Sequence, residues 1–174
     1  MSAPESEEPP PRDRVPRVVH IADPVPMTLL PTRTWTPAQW ARIQQGHIAR
    51  DMSDKWDIMV GGRVAFVRRI STGQIFYEAT FEPVDGGWWI GSAVTGADHR
   101  RSVSPRAAYA IDEENGVMLE WMISGILLDE PDEDLVLRLC AVLDQPHRTD
   151  ERLPRLILHT TLGLRTVAGV QPAP

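Results

Sequence analysis

Two adjacent arginines, Arg68 and Arg69, stand directly before a Ser-Thr-Gly turn at residues 71–73. Arginine side chains, threonine hydroxyls and glycine amides are groups with which proteins hold phosphate and other oxyanions. Neighbouring residues of a strand point to opposite faces of the sheet, so the two arginines cannot both contact one ligand through their side chains. The turn is therefore either a plain corner between strands or an anion site, whose candidate residues are Lys55, Arg68, Arg69, Thr72 and Gly73.

The direction of Arg68 matters for this choice. If Phe66 and Ile70 face the core, Arg68 faces it as well, near the end of its strand. A buried arginine needs an acidic partner or a ligand phosphate. The alternative is an arginine at the rim of the core whose charged end extends to water.

The chain carries no familiar catalytic or metal-binding motif. Its five histidines lack the spacing of metal ligands, and its single cysteine, Cys140, has no C-x-x-C partner. The glycine-rich phosphate loops and the G-x-S-x-G nucleophile motif are missing as well. We therefore predict no metal site and no cofactor, and the sequence leaves open whether the protein is an enzyme.

Charge is distributed unevenly along the chain, whose formal net charge is −6. Residues 107–137 contain nine acids and no arginine or lysine. This stretch is either a solvated acidic helix surface or a partner-binding face that binds a basic protein or mimics a polyanion. A polar loop at residues 96–106 carries Arg100 and Arg101, but the net charge argues against nucleic acid as a partner.

The composition is that of a single globular domain. The chain has 174 residues, of which 42% are hydrophobic and 24% charged, and it is long enough to bury a core. Its N-terminus lacks the apolar segment of a signal peptide, and its apolar runs are too short to span a membrane. A lone cysteine cannot form an internal disulfide, which fits a reducing, cytoplasmic location.

Residues 1–32 are rich in proline, which cannot donate a hydrogen bond to a sheet. We predict a disordered tail here, although Val18–Ala22 could add an edge strand and Met27–Leu30 could pack on the domain. Residues 33–174 are predicted to form one domain. It begins with a helix of about ten residues that has Thr36 as N-cap and Pro37 in its first turn.

Four strands with a two-residue period should follow, at Trp56–Val60, Arg63–Ile70, Ile75–Glu82 and Trp88–Val94. Their connections are short, as in an antiparallel meander, and the first is a Gly61-Gly62 turn. Trp88 and Trp89 must point to opposite faces of the sheet. One belongs to the core, and the other either lies under the basic loop or offers an exposed surface for stacking or for a partner.

Two helices complete the predicted fold. The first has Val117, Trp121 and residues 123–128 on its apolar face and Asp112–Glu114 near its start, where the helix dipole favours acids. The second, within residues 132–146, aligns Leu135, Leu139, Val142 and Leu143. The fold class is thus α+β: a four-stranded antiparallel meander preceded by a short helix and covered by two C-terminal helices. From His147 onward the pattern does not distinguish one strand from a strand and a turn.

Three stretches, "DKWDIMV", "RVAFVRRISTGQIFYEATFE" and "MLEWMISGILLDEP", resemble an uncharacterised small bacterial domain. Its members read roughly D-K-W-F, then H-R-S-W-T-G, then I-Y-x-x-x-F, over a length that corresponds to Trp35–Pro131 here. The matching residues are Asp54, Lys55, Trp56, Arg69, Thr72, Gly73, Phe76, Tyr77 and Phe81. At the most distinctive place the chain departs from the pattern, since Arg68, Ile70 and Ser71 replace His, Ser and Trp.

The resemblance implies a link to proteins that process ADP-ribose or NAD, and it supplies no catalytic residues. The first functional hypothesis is a non-enzymatic binding or immunity-type protein of the bacterial cytoplasm, which docks a protein partner through its sheet and the Ser-Thr-Gly corner. The alternative is an enzyme or sensor for a nucleotide-like phosphate ligand, such as one derived from ADP-ribose. In that case Lys55, Arg69 and Thr72 hold the anion.

Overall fold

The computed structural model describes residues 20–50, 54–97 and 105–143. Its strands are β1 (Pro24–Pro26), β2 (Trp56–Gly61), β3 (Val64–Arg69), β4 (Ile75–Val84) and β5 (Gly87–Gly96). Its helices are α1 (Pro37–Ile43), α2 (Pro105–Trp121) and α3 (Glu133–Leu143), and a π-helical segment, Met122–Leu127, follows α2 directly. The predicted α+β class is confirmed.

In the described residues the sheet has five antiparallel strands, in the order β1-β5-β4-β3-β2, where four were predicted. The additional strand, β1, lies within the segment assigned to a disordered tail. The residues on either side of β1 extend this pairing. The Ala97 N–H donates to the Asp23 carbonyl (3.0 Å), and the Met27 N–H donates to the Ala93 carbonyl of β5 (2.9 Å). Pro24 and Pro26 alternate with Asp23 and Met27, so their backbone nitrogens point away from β5. On that side no neighbouring strand requires an N–H donor.

Residues 20–32 therefore lie in the fold rather than outside it. The side chain of Met27 is buried, and Leu30 packs against the core, as the sequence suggested for this segment. His20 packs edge-on to Phe66 with ring centroids 5.4 Å apart, so this part of the chain also covers the outer side of β3. Residues 1–19, to which the rest of the tail prediction refers, lie outside the described residues.

The two tight hairpin turns each use one glycine with positive φ. Gly61 pairs with Val64, so Gly62 and Arg63 form the first turn, and of these only Gly62 has positive φ (61°). The predicted turn is thus displaced by one residue. Val84 pairs with Gly87, which places Asp85 and Gly86 (φ 85°) in the second turn. Glycine adopts this backbone region without a steric penalty.

The start of α1 was predicted correctly. The Thr36 side chain accepts a hydrogen bond from the Gln39 amide, the Gln39 side chain accepts one from the Thr36 amide, and Pro37 occupies the first turn. This reciprocal pair of hydrogen bonds satisfies two backbone donors that the helix itself leaves free. The helix spans seven residues, shorter than expected, and the chain then turns at Gly46, which has φ 69°.

The start of α2 was predicted wrongly. The helix begins at Pro105, so Asp112, Glu113 and Glu114 lie in its middle rather than at its N-terminus. A proline in the first turn is a helix-start signal that the surrounding basic residues concealed. Asp112 and Glu120 are buried in the structure, so the acidic stretch is not simply a solvated surface. Asp112 accepts a hydrogen bond from the Thr28 hydroxyl.

The second C-terminal helix agrees with its prediction. α3 follows Asp132, whose carboxylate accepts the Leu135 amide at 2.7 Å and caps the helix. Leu135 and Leu139 are buried in the shared core, and Val142 packs against it. α3 packs mainly against α2. The segment from His147, for which a strand was considered, lies outside the described residues.

The core lies on the sheet face that carries Ile58, Val67, Tyr77 and Ala93, here called the core face; the opposite side is the outer face. Residues of α1, α2 and α3 join these side chains in one cluster. The Tyr77 hydroxyl donates to Asn115 of α2 at 2.8 Å. Burial, reinforced by the charge of Glu114, raises the pKa of Tyr77, which keeps this donor protonated.

The described residues include no helix long and apolar enough to cross a membrane.

A tryptophan pair tests the assignment of the core. Trp121 is 2% exposed, whereas Trp89 is 41% exposed. Replacing Trp121 with alanine should lower the free energy of unfolding by roughly 3–5 kcal/mol, because the lost burial leaves a cavity. Trp89→Ala should cost about 1 kcal/mol or less. Urea unfolding of both variants measures the difference, and similar losses for the two would contradict this packing.

Candidate functional site

The Ser-Thr-Gly corner between β3 and β4 is built from backbone hydrogen bonds. The Arg69 amide donates to the Gln74 carbonyl at 2.9 Å, and the Gly73 amide donates to the Arg69 carbonyl at 2.8 Å. Gly73 has φ 70°, and an added Cβ would meet no atom within 4 Å, so backbone conformation alone requires glycine here. Because its amide already has an acceptor, Gly73 does not offer the anion donor that the sequence suggested.

Arg68 is occupied by an internal partner. It lies on the same face as Phe66, as expected, but this is the outer face, and it stands opposite Asp57 of β2. Both Nε, at 3.1 Å, and Nη2 of Arg68 donate to Asp57 Oδ2. Asp57 is 3% exposed and also accepts the Ala49 amide at 2.8 Å. Of the two partners considered for a buried arginine, the structure supplies the acid.

Arg69 and Lys55 lie together at the corner. Arg69 stands opposite Trp56, and its guanidinium carbon lies 5.7 Å from the centroid of the Trp56 ring, a cation–π arrangement. The Ile70 amide donates to the Lys55 carbonyl at 3.1 Å, which holds the two strand ends side by side. Burial, and then the positive charge of Arg69, lower the pKa of Lys55. The corner thus brings the backbones of Lys55 and Arg69 side by side, and the charge of Arg69 acts on Lys55.

The five candidate residues thus separate into groups. Lys55 and Arg69 are brought together, and Thr72 lies exposed in the adjoining turn, where its hydroxyl is 3.4 Å from the Gln74 amide. Arg68 belongs to the ion pair with Asp57 on the outer face, and Gly73 serves the turn. Only Lys55, Arg69 and Thr72 can contribute side chains to an anion site.

Four of the nine acids in residues 107–137 pair with arginines of the same chain. Arg138 contacts the buried Glu120 through two nitrogens, at 2.9 and 3.1 Å, and Asp134 through a third at 2.8 Å. Arg33 pairs with Asp132, and Arg42 with Glu130. Hydrogen bonds from Gln39 and Arg42 lower the pKa of Glu130, and the Glu120 contact raises the pKa of Arg138. These four carboxylates already have partners within the fold, so they do not offer free charges to a basic protein.

A second surface lies on the β4–β5 hairpin, and none of the predicted site residues belongs to it. Trp89 stands opposite Glu82 on the outer face, while the neighbouring Trp88 faces the core and stacks on Trp40 with ring centroids 4.5 Å apart. Val84, which is also exposed, shares the outer face with Trp89 near the turn. The alternation of Trp88 and Trp89 was the sequence signal for this surface, but it did not show which tryptophan is exposed.

Among the described side chains, no group of three or more histidine, cysteine, aspartate and glutamate residues is arranged to hold a metal ion. His47 Nε2 and Asp54 Oδ2 are 3.5 Å apart, and Asp54 also accepts the Arg50 amide at 3.3 Å. These contacts connect His47 and Arg50 to Asp54, two residues before β2.

The ion pair on the outer face can be tested by mutation. Replacing Arg68 with methionine should lower the free energy of unfolding by about 3 kcal/mol, because Asp57 would remain buried without a compensating charge. The double variant Asp57→Asn/Arg68→Met should lose less than the sum of the single variants. Chemical denaturation of all four proteins measures the coupling. Additive losses would contradict a direct interaction.

Lys55 should titrate below an ordinary lysine, whose pKa is 10.5. Arg69→Ala removes one of the two causes, so the pKa of Lys55 should rise but stay lowered by burial. Between the lowered pKa and 10.5 the unfolded chain binds more protons than the folded one, so this lysine's contribution to stability grows as the pH rises. Carbon-13 NMR of the dimethylated Lys55 amine measures its pKa. An unchanged pKa in Arg69→Ala would contradict an electrostatic interaction between Lys55 and Arg69.

No family model, curated protein or solved structure matches this chain. The resemblance to a small bacterial domain stays a prediction.

Proposed function

We propose that this chain is a non-enzymatic binding protein, of the immunity type, that docks a protein partner through the outer face of its β4–β5 hairpin. The single observation that supports this proposal is Trp89, a tryptophan 41% exposed on a regular strand. Tryptophan is enriched among the few interface residues that supply most of the binding energy in protein complexes. Its large area and few rotatable bonds allow tight contact at a small entropic cost.

The backbone that carries Trp89 is held on both sides. β5 pairs along its length with β4, and on its other edge the Trp88 amide and carbonyl bond to Trp35 at 2.8 and 2.7 Å. Beneath it, Trp40 packs against both Trp88 and Phe81. An aromatic side chain on such a support is positioned before a partner arrives, which reduces the entropy lost on binding.

The charges around Trp89 indicate the chemistry of the partner. Glu82 lies directly across from Trp89, and Asp85 occupies the exposed turn next to Val84. These carboxylates form an acidic rim around an apolar centre. We therefore propose a partner with an apolar pocket bordered by arginine or lysine, since complementary charge favours encounter and orientation.

This location differs from the surface that the sequence favoured. The Ser-Thr-Gly corner lies at the opposite end of the sheet from the β4–β5 turn, because consecutive turns of a meander alternate between its ends. The proposal retains the sheet as docking surface and moves the contact to the hairpin. For the setting we propose a reducing bacterial cytoplasm, with the lone cysteine as support.

Photo-crosslinking in native cells tests the proposal. A photoreactive amino acid at Val84 should capture a specific protein, and the same group at Leu137, which is 62% exposed on α3, serves as the control. The captured protein, purified, should bind wild type and lose at least tenfold in affinity for Trp89→Ala, as expected for an interface tryptophan.

Three outcomes would count against this assignment. Equal capture from both positions would show that the hairpin is not selective. Equal affinity of wild type and Trp89→Ala would remove the central residue. Crosslinks only to a second copy of the chain, together with Trp89-dependent dimers in sedimentation, would reassign the surface to self-association.

A further inference from the structure

We propose that Lys55 and Arg69 form a binding site for a phosphate-bearing anion at the Ser-Thr-Gly corner. This site lies at the other end of the sheet from Trp89, and it does not depend on the docking function. It takes an anion because two cations are held together on adjacent strand ends. Phosphate is the class of anion that suits them, since it offers several acceptor oxygens and up to two negative charges to a guanidinium and an ammonium.

Arg69 differs from the four arginines that pair with acids and, unlike Arg63, lies over an aromatic ring. Arg33, Arg42, Arg68 and Arg138 each contact a carboxylate of this chain. Arg69 forms no ion pair with any carboxylate in residues 20–50, 54–97 and 105–143, and instead lies over the Trp56 ring with Lys55 as its charged neighbour. Its charge is therefore not neutralised by a carboxylate of those residues.

The position of Arg69 is fixed by its surroundings. Its amide and carbonyl both belong to the corner hydrogen bonds, and the Ile70 amide next to it is bonded to the Lys55 carbonyl. Below the guanidinium, the Trp56 ring meets Phe76 edge-on at 5.3 Å and 90°. A cation stacked on a supported aromatic ring has little freedom to lose when it binds an anion.

The like charges give the site a measurable property. Repulsion from Arg69 disfavours the protonated form of Lys55, in addition to burial. An anion bound between the cations reverses the sign of the local field, so it should raise the pKa of Lys55 and protect the amine. The Thr72 hydroxyl in the neighbouring turn can donate to the same anion, whereas the Gly73 amide is already bonded to Arg69.

The chain offers a specific probe for this test, because Lys55 is its only lysine. The rate at which an amine-reactive reagent modifies Lys55 can be followed by mass spectrometry of the peptide that contains it. Labelling should be measured at pH 9 with inorganic pyrophosphate or with ADP, at ionic strength held constant by sodium chloride. The two compounds distinguish a free phosphate group from a nucleotide.

Pyrophosphate, ADP or both should slow the labelling of wild type severalfold in a saturable way. Arg69→Gln should weaken this protection by about tenfold or more in ligand concentration, the effect of losing one charge-assisted contact. Arg63→Gln is the matched control, because Arg63 lies at the opposite end of β3 beside the Gly62 turn. It should leave protection unchanged.

Protection by ADP alone would assign the site to a nucleotide, and equal protection by both compounds would assign it to the phosphate group itself. The proposal is overturned if neither compound protects Lys55 of wild type, or if protection survives in Arg69→Gln. It is also overturned if Arg63→Gln loses as much as Arg69→Gln, since that would indicate general electrostatics. No protein partner enters this assay, so its failure leaves the hairpin proposal unaffected.

Discussion

Trp35 connects the N-terminal segment, the β4–β5 hairpin and the C-terminal helices, and the remaining packing depends on it. Its backbone bonds to Trp88 on the side of β5 that faces away from β4, and its indole donates to Ser124 of the π-helical segment at 3.1 Å. Its ring meets Phe81 of β4 edge-on at 5.5 Å. The bridge lies so close to the sheet that a Cβ at Gly87 would collide with the Trp35 carbonyl. One buried residue thus fixes the N-terminal segment, the hairpin and the C-terminal helices relative to each other.

The charged groups support this arrangement rather than standing apart from it. Glu120, 2% exposed, receives two hydrogen bonds from Arg138 of α3, and Arg33, two residues before Trp35, lies 3.9 Å from it. A buried carboxylate is tolerated only with such compensation. The planar guanidinium, with several donors in a fixed geometry, suits this task better than the ammonium of lysine. The burial of Glu120 therefore favours arginine over lysine at positions 33 and 138.

Local patterns predicted local structure well, and long-range contacts explain what they missed. The two-residue period located four strands, and Thr36 with Pro37 located α1, because these signals act over a few residues. β1 was missed because prolines usually argue against a strand. Pro24 and Pro26 are two residues apart, at positions where the backbone nitrogen points away from β5. The Arg68–Asp57 pair depends on the register between two strands. The exposure of Trp89 rather than Trp88 depends on which face the helices cover, which strand periodicity alone does not determine.

The edges of the sheet bear on how a partner would approach. The outward side of β1 presents prolines without N–H groups, and on the opposite edge Ile58 of β2 exchanges both backbone hydrogen bonds with His47 at 2.7 Å. Prolines and covering segments of this kind hinder the addition of a further strand. The remaining routes are contacts made by side chains on a face or at an end of the sheet. Trp89 on the outer face and Arg69 at the corner are such side chains; β5 carries the first, β3 carries the second, and β4 lies between these strands. A partner of one site and a ligand of the other could therefore be bound together without competing for surface.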